Sequence, residues 1–107
     1  MARWSVEFKK SAVGDLEWFS PATARSLVQG MIGRLTNDPV SETRNCKALR
    51  SNPIAQRELR LGGKYRILYS IEEARRIVTI LVVGEKSGNA LLVRGERFEA
   101  HESHSAE

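Results

Sequence analysis

The chain of 107 residues has one cysteine, three prolines and two histidines. A lone Cys46 excludes an internal disulfide framework and fits a reducing, cytoplasmic setting. No apolar run approaches the roughly 18 residues of a membrane-spanning helix. The opening stretch M-A-R-W-S-V-E-F-K-K lacks the apolar core of a secretory signal. Both histidines, His101 and His104, fall near the end of the chain, so the body has none with which to assemble a Ser–His–Asp arrangement. The run H-E-S-H is not the zinc spacing H-E-x-x-H, and two histidines are fewer ligands than a zinc site needs. No metal and no cofactor is therefore expected. The run Gly62-Gly63-Lys64 lacks the spacing of a phosphate-binding loop and reads as a hairpin turn. The length allows one domain.

What the chain does have is an uneven charge. Lys and Arg number 17 against 13 Asp and Glu, a net charge of +4. Residues 44–66 carry seven basic side chains (Arg44, Lys47, Arg50, Arg57, Arg60, Lys64 and Arg66) and a single acid, Glu58. Residues 96–107 carry four acids against one Arg97. The body is thus more basic than the whole, which points to nucleic acid or an acidic protein partner.

The order of elements is legible from periodicity. Trp4, Val6 and Phe8 alternate with polar residues, the period of a half-buried strand. Ala12, Val13, Leu16 and Phe19 fall at helical spacing, although Gly14 weakens that helix by roughly 1 kcal/mol relative to Ala. Ser20 as N-cap and Pro21 at the first helical position open a second helix. Its stripe is Ala24, Leu27, Val28, Met31, Ile32 and Leu35, and Asn37-Asp38-Pro39 ends it. Residues 40–53 read as a loop. Residues 58–61, 65–71 and 77–83 read as strands, the last rich in β-branched residues and central. Residues 84–89 read as a break. Leu91, Leu92 and Val93 extend the sheet, and the charged end from Arg94 reads as a short helix or frayed tail. Trp4, Phe8, Trp18 and Phe19 read as core. The expected class is α+β, a β-α-α-β-β-β order with a small, mostly antiparallel sheet and a helical hairpin on one face.

Strand ends and hairpins can gather Arg60, Lys64, Arg66 and Lys86 into one phosphate-binding cluster. The rival reading is a set of solvated edge-strand charges that discourage aggregation.

Four segments in order carry a resemblance: W-S-V-E-F-K-K-S-A-V-G-D-L, then L-T-N-D-P with K-A-L-R following, then R-E-L-R-L-G-G-K-Y-R-I-L-Y-S-I, then I-V-T-I-L-V-V-G-E-K. Together, over roughly residues 3–86, they resemble the RelE/ParE family of bacterial type II toxins. The resemblance implies a toxin domain over residues 1–95, followed by a charged tail over 96–107, and a cognate antitoxin as partner. RelE-like members cut mRNA on the ribosome; ParE-like members inhibit DNA gyrase without being enzymes; a third reading is a catalytically inactive relative that binds its antitoxin. For the nuclease branch the resemblance implies attack of an RNA 2′-hydroxyl on the adjacent phosphorus. Arg66 and Lys86 would stabilise the phosphate charge. Arg57, Arg60, Lys64, Lys47 and Arg50 would place the RNA. Nuclease members often carry a Tyr or His shortly after V-G-[KR]-R, where this chain has S-G-N-A-L-L-V. His101 or His104 would then supply proton transfer if the tail folds back.

Overall fold

The computed structural model describes residues 3–49 and 55–98. Strand β1 (Ser5–Phe8) leads into helices α1 (Lys10–Trp18) and α2 (Pro21–Leu35). The sheet continues with β2 (Cys46–Ala48), β3 (Arg57–Leu61), β4 (Tyr65–Glu72), β5 (Ile77–Ser87), β6 (Ala90–Val93) and β7 (Glu96–Arg97). The class is α+β. The spatial order is β2-β3-β4-β5-β6-β7, all antiparallel, and β1 pairs in parallel with β5. The second helix begins as its sequence dictates: the Ser20 hydroxyl accepts from the Thr23 amide at 3.2 Å and Pro21 occupies the first turn.

Several elements differ from the sequence reading. Residues 40–53 contain a short strand, β2, because Cys46 is apolar enough to pack under Leu59. Gly84 does not break β5. The strand runs on to Ser87, since its backbone is held on both sides, by Arg66 of β4 and by β6. The segment after Arg94 forms neither helix nor free tail over Glu96–Arg97, which pair with β6. Trp18 is half exposed rather than core.

The helices cover one face of the sheet. Ala12, Leu16, Leu27, Met31 and Leu35 pack on Leu59, Ile67, Tyr69, Val78, Ile80 and Val83. Burying such side chains stabilises by about 1.5–3 kcal/mol each. The opposite face has a smaller cluster of Ala55, Leu68, Val82 and Leu91.

Two buried polar arrangements tie the parts together. The Asp15 carboxylate accepts the Val83 amide at 3.0 Å and Arg94 Nε at 2.8 Å. It serves β5 where the strand passes from pairing with β1 to pairing with β6. Gly14 has a packing reason as well: the Arg94 guanidinium lies where a β-carbon would stand. On the helix face, the Tyr69 hydroxyl donates to the Pro39 carbonyl at 2.7 Å and lies 2.7 Å from Cys46 Sγ. Burial and the Cys46 contact push the Tyr69 phenol well above its usual range.

Candidate functional site

The face away from the helices carries Lys47, Arg60, Arg66 and Lys86. Alternation along β3 sends Arg57, Leu59 and Leu61 toward the helices and Glu58 and Arg60 away from them. Cross-strand register then aligns two rows on the far face. Lys47, Glu58, Leu68 and Val82 form one; Arg60, Arg66 and Gly84 form the next.

Lys86 joins them through an irregularity. Tyr69 pairs with Ile80, whereas Leu68 pairs with Val82, so Leu81 is an extra residue in β5. This bulge reverses the alternation of everything after it. Without it Lys86 would share the face of Val78 and Ile80. With it, Lys86 points to the same side as Arg66.

Glu58, Arg60, Arg66, Lys86, Asn89, Ala90 and Leu91 line a cleft of about 230 Å³. Arg66 is its deepest cation, with a side chain 9% exposed. One of its terminal nitrogens donates to the Gly63 carbonyl at 2.9 Å and to the Tyr65 carbonyl at 3.0 Å. The turn builds this support: Gly62 and Gly63 have φ of +56° and +80°, a region open to glycine at little steric cost. Glu58 Oε2 lies 3.2 Å from Arg66 Nε and 3.5 Å from Arg60 Nε. Neither of these buried Nε–H groups has a hydrogen bond, so the carboxylate holds both arginines by charge rather than by aligned donation. Burial lowers the Arg66 pKa, Glu58 opposes that shift, and Arg60 adds to it. A guanidinium remains charged throughout. An excess of positive charge over one carboxylate, on a poorly hydrated floor, suits an anion with several oxygens, such as a phosphate.

The structure gathers only some of the candidate residues. Arg60, Arg66 and Lys86 line one cleft. Lys47 shares their face by register but does not line the cleft. Arg57 turns to the helix face, opposite Tyr69, because it is an odd number of residues from Arg60. Lys64 reaches the other way: its ammonium is 3.4 Å from Glu85 and 5.3 Å from the centre of the Tyr65 ring. Arg50, His101 and His104 lie outside the described residues. Glu58 and Asn89 were not singled out in advance. Glu58 had a signal, as the lone acid in the basic stretch and two residues from Arg60 on one strand. Asn89 had none, since its place depends on how β6 folds back. Among the described residues no group of three or more His, Cys, Asp or Glu could hold a metal. No helix among them is long and apolar enough to cross a membrane.

The architecture is a helical pair on one face of the sheet with a basic cleft on the other. No family model matches the chain, and no curated protein matches it. Solved structures do. The RelBE2 toxin–antitoxin complex from Mycobacterium tuberculosis is 30% identical with a TM-score of 0.69, the match covering 80% of this chain and 94% of that one. The archaeal RelE–RelB complex from Pyrococcus horikoshii is 24% identical with a TM-score of 0.63, covering 84% and 100%. A mutant E. coli RelE toxin in the free state is 20% identical with a TM-score of 0.59, covering 78% and 83%. The chain belongs to the RelE toxin family.

Proposed function

We propose that this toxin inhibits translation by cutting mRNA on the ribosome and that a cognate antitoxin neutralises it. The observation that carries this reading is the convergence of Arg60, Arg66 and Lys86 around Glu58 in one cleft. The 2′-hydroxyl of the RNA attacks the neighbouring phosphorus and gives its proton to Glu58, the one carboxylate among the described residues that line the cleft. The bond from phosphorus to the 5′-oxygen breaks, and that oxygen leaves with a proton drawn from Lys86 or solvent. The products are a 2′,3′-cyclic phosphate and a 5′-hydroxyl. Arg66 and Arg60 stabilise the charge that grows on the phosphate oxygens, an effect worth about 10²–10³ in rate for one well-placed donor. Two backbone carbonyls fix Arg66, so little reorganisation is needed as that charge develops.

Primer extension on mRNA translated by purified ribosomes tests the reading. The chain should introduce new 5′ ends within codons, and Arg66→Lys should reduce them strongly while the fold survives. Intact mRNA with active, folded protein would refute nuclease action. The alternative, a gyrase inhibitor, draws on the wall Asn89–Ala90–Leu91, which carries no titratable side chain. It predicts accumulated DNA cleavage complexes and uncut mRNA. Coexpression with the product of the adjacent reading frame should restore growth if that product is the antitoxin.

A further inference from the structure

The cleft has two walls of unlike chemistry. Glu58, Arg60 and Arg66 form the charged wall on β3 and β4. Asn89, Ala90 and Leu91, at the start of β6, form the other, with Lys86 between them. Gly84 of β5 pairs with Arg66. A β-carbon there would sit 2.5 Å from the Leu92 carbonyl oxygen and 3.3 Å from Leu91 Cδ1. The absence of a side chain at Gly84 therefore lets β6 close in beside the arginines. Neighbouring strands are about 4.8 Å apart, so β6 stands about 10 Å from β4 across β5. The cleft volume, about 230 Å³, suits a single nucleotide and not a duplex.

Among the described residues of the second wall, Asn89 alone has a side chain that can form hydrogen bonds. Its amide has no hydrogen bond to any described residue. An amide offers a donor beside an acceptor. Ala90 and Leu91 next to it give an apolar surface for the face of a base. We propose that Asn89 reads the base of the nucleotide whose phosphate Arg60, Arg66 and Lys86 hold, and that the base it favours is adenine. Adenine presents an amino donor next to a ring-nitrogen acceptor on its Hoogsteen edge, where guanine shows two acceptors, cytosine one donor and uracil one acceptor. The unstacked base of a single strand leaves this edge free to be read. Asn89 thus sets sequence preference, while the cations bind every nucleotide alike.

This inference rests on the cleft being a phosphate site for RNA, so the experiment separates the two. The full chain is titrated with inorganic phosphate and with the four 2′-deoxynucleoside 3′-monophosphates, followed by NMR of the arginine Nε–H groups. The expected result is that all five ligands perturb Arg66 and that the adenine nucleotide binds about fivefold more tightly than the other three, the low end for a bidentate amide–base pair. Asn89→Ala, in an exposed turn, should level the four nucleotides and leave inorganic phosphate binding the same. Four nucleotides that bind the parent chain equally, with phosphate still bound, would overturn the inference and leave the RNA reading standing. An equal loss for all ligands in Asn89→Ala would also overturn it, by making the residue structural. If neither phosphate nor nucleotides perturb Arg66, the RNA reading itself fails. Sequencing of the 5′ ends produced on ribosomes gives a second readout. Adenine should be enriched at the cut, and Asn89→Ala should remove the enrichment.

Discussion

The substitution Glu58→Gln keeps the side-chain volume and removes one negative charge from the cleft. In the parent, Glu58 Oε2 lies 3.2 Å from Arg66 Nε and 3.5 Å from Arg60 Nε. A phosphate seated on those cations would stand about 5 Å from the carboxylate. At an effective dielectric constant of about 40–80, suited to a cleft open to water, the repulsion between two unit charges at that distance is about 0.8–1.7 kcal/mol. Glu58→Gln should therefore tighten binding of an uncleavable RNA about 4- to 15-fold. The cleavage rate should move the other way, because losing a positioned general base costs about 10²–10⁴-fold. Stability should fall by about 1–3 kcal/mol, since the nearly buried Arg66 loses its counter-ion. Fluorescence anisotropy with RNA carrying a 2′-deoxyribose at the cleaved position measures the first effect. Single-turnover cutting on ribosomes measures the second, and urea denaturation the third. A folded variant that cuts at the parent rate would remove Glu58 from proton transfer. One that binds RNA more weakly would show that the carboxylate serves only to hold the two arginines in place.

Asp15→Ala takes the acceptor from the buried Val83 amide, so the unfolding free energy should fall by about 1–3 kcal/mol, seen as a lower urea midpoint at unchanged m-value, and Asp15→Asn should lose less. Tyr69 holds its proton more tightly in the folded state than in the unfolded chain. Its contribution should be fully present below about pH 10, the ordinary tyrosine value, and be lost as the pH rises above it; Tyr69→Phe should flatten that alkaline decline in thermal melts. Residues 99–107 contain three glutamates and no lysine or arginine. Their deletion should raise RNA affinity at low salt, and an unchanged affinity would show that their charge does not reach the cleft.

Much of the fold was legible because it is written in local patterns. The second helix carries its own cap, first-turn proline and apolar stripe, and Ser20, Pro21, Leu27, Met31 and Leu35 act as those patterns require. Residues 65–71 are a strand in both readings, and the structure carries it one residue further, to Glu72. The short strands were hidden because three residues such as Cys46–Ala48 have no period of their own and exist only by pairing with β3. Trp18 sits at a helical position next to Phe19, yet the sheet beneath the helix takes Phe19 into its core and leaves Trp18 outside.

The sequence by itself determined an α+β order, a basic body and a set of cations near Y-R-I-L-Y and V-G-E-K. Charge and periodicity are properties of neighbouring residues, so they can be read without coordinates. Which cations meet was decided by the tertiary structure. Alternation on β3 separates Arg57 from Arg60, and the extra residue Leu81 turns Lys86 to the face of Arg66. The turn from β5 back into β6 then brings Asn89 to the same cleft. Side-chain direction on a sheet depends on register, and register is a property of the paired strands.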